Sequence, residues 1–314
     1  MVCDQNTNLY PFFEDCLSKA KIQNATLYSS ITFETNYSDP LAVIEQIHES
    51  NQSICYFEKQ SDEFSIACGD PIAEAMFSGA ERFQQAKVWS QKLLSDTLVA
   101  GDHKVEGSGP TLFLNATFEE SSSDSKYPAL QVFLPHWQVV RKGGAHFIVI
   151  NCVISPETKV HELNVNVSKT LERFDGLHDQ RPSGKNQKKI QLGKPIEENF
   201  YEHAVSKALK LISKGIISKI VLARKLIYQT EKQLPYFSIA HSLRNKFPDC
   251  YTFCMSTPDN GMFIGATPEI LSRVSGNSLE TEAVAGTAAR GPSAGKDAHL
   301  GKTLLGRKKE VREH

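Results

Sequence analysis

Two long apolar runs in the first half of the chain predict β-strands. One covers residues 130–140, and the other covers residues 146–154 and ends at Ser155 and Pro156. Runs of this length and composition, bounded by turn-forming residues, are typical of buried strands. We therefore expect residues 1 to about 170 to be mostly strands and turns.

Three segments have the spacing of apolar residues that predicts a helix. Apolar residues recur every three or four positions in residues 40–49 and 79–95. The same stripe runs through residues 196–213, and Gly215 is placed to cap the C-terminus of this helix. The mixture of these helices with the strands predicts the α+β class.

The pattern changes directly after the third helix. Residues 217–228 are rich in β-branched and aliphatic side chains, which predicts a strand. Its alternation places Lys219, Val221, Ala223 and Lys225 on one face.

Two polar loops divide the sequence, at residues 119–127 and 175–195. The second loop predicts a boundary between an N-terminal part, residues 1–190, and a C-terminal part, residues 196–314. Residues 303–314 have the pattern of the opening turns of a helix without a stop signal. We therefore expect the sequence to break off within its C-terminal part.

The composition is that of a globular protein, with 314 residues, 40% hydrophobic and 23% charged. The 35 basic and 36 acidic residues give a net charge of −1, which argues against nucleic acid or an anionic membrane as a partner. The sequence lacks a secretion signal and an apolar stretch of about 18 residues. The seven cysteines are scattered and include no Cys-x-x-Cys pair. We expect a cytoplasmic protein with reduced cysteines.

Four short motifs in the C-terminal part carry the candidate chemistry. Residues 219–224 read Lys-Ile-Val-Leu-Ala-Arg, and residues 263–271 read Phe-Ile-Gly-Ala-Thr-Pro-Glu-Ile-Leu. Residues 281–291 include Ala-Val-Ala-Gly-Thr, and residues 310–314 read Glu-x-x-Glu-His. In this order and approximate spacing, the motifs resemble those of isochorismate synthases, members of the chorismate-utilising enzyme family. The resemblance is close from about residue 200 to residue 314 and looser before that.

The resemblance implies both a fold and a reaction. The fold is that of anthranilate synthase component I, in which two packed, mostly antiparallel sheets carry helices on the outside and the active site lies in the cleft between the two halves. The reaction converts chorismate into isochorismate by adding water at C2 of the ring and expelling the hydroxyl at C4. We accordingly expect a monomer that binds chorismate and serves a menaquinone, siderophore or salicylate pathway.

The same resemblance implies roles for two side chains. Lys219 stands where the family places the base that activates water, and Glu269 stands where it places the acid that protonates the leaving hydroxyl. The two groups must start in opposite protonation states. Without the other motifs, Lys219 would be interpreted as a solvated lysine and Glu269 as a turn residue after Thr267 and Pro268.

A loop and a metal ligand complete the implied site. Ala285, Gly286 and Thr287 match the family's substrate-binding loop, where glycine lets backbone N–H groups approach an anionic substrate and threonine adds a hydroxyl donor. A plain turn is the alternative. Glu313 matches a carboxylate that holds Mg²⁺, although a lone glutamate among charges would be an ordinary surface residue.

Lys219 and Ala285 also bear on which activity of the family is present. Synthases that use ammonia usually have glutamine at the position of Lys219, and aminodeoxychorismate synthase has a lysine nucleophile at the position of Ala285. Salicylate synthases, which go on to eliminate pyruvate, share both features with isochorismate synthases and stay open as an alternative. An inactive remnant of the family and a generic carboxylate-binding module are the other two alternatives.

Overall fold

The structure, a computed structural model, describes residues 7–36, 39–48, 52–121, 127–175, 177, 192–196, 200–231, 233–256, 261–282 and 287–307. The helices in these ranges are α1 (Tyr10–Gln23), α2 (Pro40–Ile47), α3 (Arg82–Ser95), α4 (Val160–Asp175), α5 (Phe200–Ser213), α6 (Tyr236–Lys246) and α7 (Ala294–Leu305). The strands are β1 (Leu27–Glu34), β2 (Ile54–Lys59), β3 (Phe64–Phe77), β4 (Thr97–Ala100), β5 (Phe113–Ala116), β6 (Leu130–Lys142), β7 (Ala145–Ile154), β8 (Tyr251–Ser256), β9 (Met262–Thr267), β10 (Arg273–Ser275) and β11 (Ser278–Glu280).

The strands form one large sheet and one hairpin. The sheet has the order β4-β1-β7-β6-β3-β2-β8-β9, with β5 paired to the first residues of β6. Its neighbours are antiparallel except for β1 and β4, and β10 pairs with β11 separately. Helices combined with a mostly antiparallel sheet confirm the α+β class. The resemblance implies two packed sheets. The described residues form this large sheet and, separately, the β10–β11 hairpin.

Several elements that the hydrophobic pattern predicts are present. The runs at residues 130–140 and 146–154 are β6 and β7, and the three predicted helices correspond to α2, α3 and α5. Gly215 ends α5 as expected, since its φ is +70° and its N–H donates to the Ile212 carbonyl oxygen at 2.9 Å. The Ile216 N–H then reaches back to the Leu211 carbonyl oxygen at 3.1 Å, which completes a glycine-based C-cap.

The first 170 residues contain more helix than the sequence interpretation allows, because α1 and α4 lie in or extend into this region. The apolar positions of α4 include Leu163, Val167, Leu171 and Phe174, spaced by four, four and three residues. That spacing is the mark of an amphipathic helix packed on a core. The expectation of mostly strands and turns is therefore wrong for this segment.

The strand predicted at residues 217–228 is also not formed in the part of the chain that the structure describes. The segment has no regular secondary structure, and its recorded β-contact is an isolated bridge between Ile196 and Ile227. A strand needs a neighbour that exchanges backbone hydrogen bonds with it, and none of the described strands runs alongside this segment. Strand-forming composition alone does not supply that neighbour.

Residues 303–305, where the sequence predicts the first turn of a helix, form instead the last turn of α7, which starts at Ala294 and ends at Leu305. Residues 308–314 lie outside the described residues.

The main core lies between one face of the large sheet and four helices. Phe13 of α1, Ile44 of α2, Phe174 of α4 and Ala240 of α6 are buried there with Ile150 of β7. Burial of such side chains is the main driving force of folding. None of the described helices is both long and apolar enough to cross a membrane.

Elements from both predicted parts of the chain meet in this core. β8 belongs to the predicted C-terminal part, yet it pairs with β2 in the register Cys55 to Met255. Cys254 and Ala240 are buried in the same core cluster as Phe13. The predicted boundary near residues 190–196 stays a prediction, and one sheet runs through elements on both sides of it.

Candidate active site

Lys219 lies in the irregular segment that follows α5. Its side chain is exposed, and the glycine cap at Gly215 and the bridge from Ile196 to Ile227 fix the two ends of the segment. Close by in sequence, the Arg224 guanidinium lies 5.1 Å from the centre of the Tyr201 ring, a cation–π contact that ties the segment back to α5. Lys219 is therefore presented to solvent between two anchored ends.

Glu269 lies in the turn after β9, at the edge of the large sheet. Its backbone N–H donates to the Thr267 hydroxyl at 3.3 Å, and that hydroxyl in turn lies 3.5 Å from the Glu269 carbonyl oxygen. This local turn is the alternative interpretation of the residue, and the structure shows that the turn is formed. The Glu269 side chain itself is exposed.

The strand before this turn is held by a close contact that needs glycine. Gly265 of β9 pairs with Phe253 of β8, and a Cβ at Gly265 would overlap the Phe253 ring. After Glu269 the chain is anchored by Arg273 at the start of β10, whose Nη2 donates to the Tyr251 hydroxyl and the Asp62 carboxylate at 2.7 Å each. The segment that carries Glu269 is thus fixed at both ends to the sheet.

The predicted substrate loop is only partly described. Thr287 is exposed, whereas Ala285 and Gly286 lie outside the described residues. The far end of the loop is fixed to α7, because the Gly291 N–H and the Arg290 Nε both donate to Asp297 Oδ1 at 2.8 Å. The hydrogen bond and charge of Arg290 hold the pKa of the Asp297 carboxyl below its usual value. The sequence interpretation missed this anchor.

The two candidate acid–base groups lie on different segments of the chain. Both the Lys219 and the Glu269 side chains are exposed. Both would be accessible to a substrate from solvent.

The predicted magnesium ligand cannot be placed, since Glu313 lies outside the described residues. The part of the chain that the structure describes has no group of three or more His, Cys, Asp and Glu residues suited to a metal ion. The described residues therefore do not define a metal site.

A cavity of about 340 Å³ lies on the opposite face of the sheet from the main core, between β2, β3, β5, β6 and β8. Its wall is mostly apolar and includes Phe57, Phe113 and Phe133. Neither Lys219 nor Glu269 lines it, so this cavity is separate from the predicted catalytic residues.

A buried charge cluster connects α6 to the N-terminal part and was also missed. Arg244 of α6 binds the Asp39 carboxylate through both terminal nitrogens, and its Nη1 also donates to Glu58 Oε2 at 3.0 Å. The Tyr56 hydroxyl donates to the same Glu58 oxygen, and Arg141 donates to the other one at 3.1 Å. The cluster fixes α6, and with it the chain leading into β8 and β9, on α2 and β2.

The Asp39 carboxyl illustrates the electrostatics of this cluster. Burial by itself would raise the pKa of Asp39, but the hydrogen bonds and charge of Arg244 outweigh burial and hold that pKa below its usual value. Asp39 therefore stays ionised beside the arginine.

Comparison with known proteins identifies relatives along the whole described region. The model of the family described as "Chorismate binding enzyme" matches residues 14–314. The salicylate biosynthesis isochorismate synthase of Pseudomonas aeruginosa is 27% identical over 310 residues, which are 96% of this chain and 62% of that protein. Anthranilate synthase component 1 of Saccharolobus solfataricus is 34% identical over 121 residues, 38% of this chain and 28% of that protein.

A solved structure shows the same fold. The menaquinone-specific isochorismate synthase of Escherichia coli superposes with a TM-score of 0.62 at 17% identity, covering 95% of this chain and 66% of that one. The chain thus spans just under two thirds of the length of these two isochorismate synthases. Because the family model matches almost the whole sequence, the chain belongs to the chorismate-binding enzyme family.

Proposed function

We propose that the chain is an isochorismate synthase, which isomerises chorismate to isochorismate. The proposal is supported by an overall sequence similarity and a motif match that occur together in this chain. The similarity to an isochorismate synthase extends over 96% of the chain, and within it Lys219 and Glu269 occupy the motif positions of the family's base and acid.

In the proposed reaction the Lys219 amine takes a proton from a water molecule, whose oxygen bonds to C2 of the ring. The double bonds shift, and the C4 hydroxyl leaves with a proton from the Glu269 carboxyl. A base and an acid acting on opposite sides of the ring each contribute to the rate as proton-transfer partners. Thr287 and the backbone of Ala285 and Gly286 would hold a substrate carboxylate. Binding of Mg²⁺ through Glu313 stays a prediction.

The similarity to anthranilate synthase component 1 favours a second candidate, amination of chorismate. Lys219 argues against it, because the resemblance implies glutamine at this position in enzymes that use ammonia. Salicylate synthesis, in which isochorismate loses pyruvate, is a third possibility that the motifs leave open. The coverage of just under two thirds also leaves the inactive remnant as an alternative.

The test is incubation of the purified chain with chorismate and Mg²⁺, with and without ammonium, followed by chromatographic identification of the products. Isochorismate alone supports the proposal, whereas salicylate with pyruvate or anthranilate moves the assignment to the corresponding candidate. Absence of turnover under all conditions contradicts the proposal for this chain.

A further inference from the structure

Two cysteine side chains face each other across neighbouring strands of the large sheet. Cys55 of β2 and Cys68 of β3 are directly opposite in the antiparallel register, and opposite residues lie on the same face of a sheet. The Cys68 thiol is fully buried and makes a hydrogen bond with the Cys55 thiol. The two sulfur atoms are therefore neighbours in the folded chain, and both belong to free cysteines.

The backbone geometry of this pair is compatible with a disulfide. The Asp70 N–H donates to the Ser53 carbonyl oxygen at 2.9 Å, two residues along the same register from Cys55 and Cys68. Hydrogen-bonded pairs recur at every second residue of an antiparallel ladder and hold their Cα atoms about 5.5 Å apart. Disulfides span Cα separations of about 4.4–6.8 Å. The strands therefore need not change their pairing for the two sulfur atoms to bond.

The cavity on the far face of the sheet gives access to one member of the pair. Cys55 is partly exposed and lines this cavity of about 340 Å³ together with Met255, which lies opposite it on β8. Burial and the hydrogen bond with Cys55 raise the pKa of the Cys68 thiol well above its usual value, so Cys68 is a poor first nucleophile. A small reagent that enters the cavity therefore reacts with Cys55 first.

The two other cysteines in the described strands of this sheet have different surroundings. Cys254 of β8 lies opposite Tyr56, and its side chain is buried in the main core on the other face of the sheet. Cys152 of β7 lies opposite Ser29. The arrangement of two opposed thiols beside a cavity thus belongs to β2 and β3.

We propose that Cys55 and Cys68 form a reversible redox site, in which a low-molecular-weight disulfide oxidises the two thiols to a cross-strand disulfide. The Cys55 thiolate attacks one sulfur atom of the reagent, whose S–S bond breaks and releases one thiol. Cys68 then attacks the Cys55 sulfur of this mixed disulfide, and the departing thiolate takes up the proton that Cys68 loses. The two cysteines lose two hydrogen atoms in total, and the reagent is reduced to two thiols.

The sheet geometry favours a bond that is easily reduced again. Opposite residues of an antiparallel pair hold their Cβ atoms about 4.5–5.5 Å apart, whereas the Cβ atoms of a relaxed disulfide are about 3.8 Å apart. Closing this gap strains the bond, and strained disulfides are more reducible than structural ones. The site therefore responds to the redox state of its surroundings.

The test treats the reduced 314-residue chain with hydroxyethyl disulfide, blocks the remaining thiols with iodoacetamide in denaturant, and identifies tryptic peptides by mass spectrometry. Trypsin cleaves after Lys59, which places Cys55 and Cys68 in separate peptides. These peptides should be joined by a disulfide that dithiothreitol removes. The joined form should exceed the mixed disulfide of Cys55 with the reagent at least about tenfold, because a neighbouring thiol reacts at high effective concentration.

Two variants assign the roles of the thiols. In Cys68→Ser, Cys55 should accumulate as the mixed disulfide with the reagent. The matched control is Cys250→Ser, which replaces the other partly exposed cysteine of the described residues. This control should form the link between Cys55 and Cys68 to the same extent as the parent chain.

Recovery of both Cys55 and Cys68 in the alkylated form overturns the proposal, as does a parent chain in which Cys55 stays mainly a mixed disulfide. A disulfide from Cys55 to another cysteine, or between two copies of the chain, also overturns it. The parent chain decides the outcome even if Cys68→Ser does not fold. The readout needs no chorismate and is independent of the proposed function.

Discussion

Arg244 and Asp39 form a two-point ion pair across 205 residues of sequence, with Nη1 to Oδ1 at 2.9 Å and Nη2 to Oδ2 at 2.7 Å. Both side chains are largely buried, and the same guanidinium also pairs with buried Glu58. The pair joins the helix before β8 to the helix before β2. The stretch that carries Glu269 therefore depends on a contact whose other half lies near the start of the chain.

Removal of the arginine should be strongly destabilising. Arg244→Ala leaves Asp39 and Glu58 without this partner in a buried site, and loss of one member of a buried ion pair costs about 3–5 kcal/mol of unfolding free energy. The free energy is measured by urea denaturation. Arg290→Ala, which breaks an ion pair with Asp297 at an exposed arginine, should leave the midpoint nearly unchanged. Equal midpoint shifts in the two variants would contradict the role given to Arg244.

The same pair predicts a pH dependence of stability. The pKa of Asp39 is lower in the folded chain than in the unfolded one, so its contribution is fully present above the unfolded pKa of about 3.9 and is lost as the pH falls through the lower folded pKa. The difference in unfolding free energy between the parent chain and Asp39→Asn should be present at neutral pH and shrink below about pH 4, below the range in which Glu58, whose pKa burial raises, takes up its proton. The comparison between variants cancels the titration of groups that the substitution leaves unaffected. A difference that grows on acidification would refute the assignment.

This charge cluster could not be predicted from the sequence. Asp39, Glu58 and Arg244 occur at unrelated spacings, and only the packing of α6 against α2 and β2 brings them together. The motifs of the candidate site could be recognised in the sequence because each is a short run of particular residues. Local periodicity likewise predicted β6 and β7, because these strands are strongly apolar. The glycine cap of α5 was predicted because its hydrogen bonds join residues that are close in sequence.

Two features of the structure could not be predicted because they depend on distant partners. Residues 217–228 have the side chains of a strand, but pairing depends on a neighbour that local sequence does not reveal. The distance between Lys219 and Glu269 likewise depends on the placement of two separate segments. The helical spacing of the apolar residues of α4, by contrast, is present in the local sequence, so α4 was predictable.

Gly69 provides a test of the core. A Cβ at this position of β3 would lie 2.5 Å from Cζ2 of the Trp137 indole, so Gly69→Ala must displace a buried ring. Overpacking of this kind costs about 1–3 kcal/mol of unfolding free energy. Gly301→Ala in α7 is the control, since a Cβ there meets no atom within 4 Å and alanine favours a helix. Thermal unfolding should show a lower midpoint for the first variant and an unchanged or higher one for the second.

Substitution of Lys219 or Glu269 should lower activity without changing stability. Both side chains are exposed. Lys219→Ala and Glu269→Gln should therefore change the free energy of unfolding, measured by urea denaturation, by no more than about 0.5 kcal/mol, as is typical of surface substitutions. Under the proposed function, each should lower kcat/KM for chorismate by about a hundredfold or more, the usual contribution of a positioned acid or base. Lys207→Ala, at an exposed lysine of α5, is the control and should retain activity. Activity that survives in both site variants would remove these residues from the mechanism.

The source of the oxygen at C2 tests the central claim most directly. The reaction is run in water enriched in heavy oxygen, and the isochorismate formed is analysed by mass spectrometry with fragmentation that separates C2 from C4. Addition of water with loss of the C4 hydroxyl predicts one heavy oxygen atom, located at C2. Isochorismate without heavy oxygen would show that the hydroxyl migrates within the substrate, which would contradict the role proposed for Lys219.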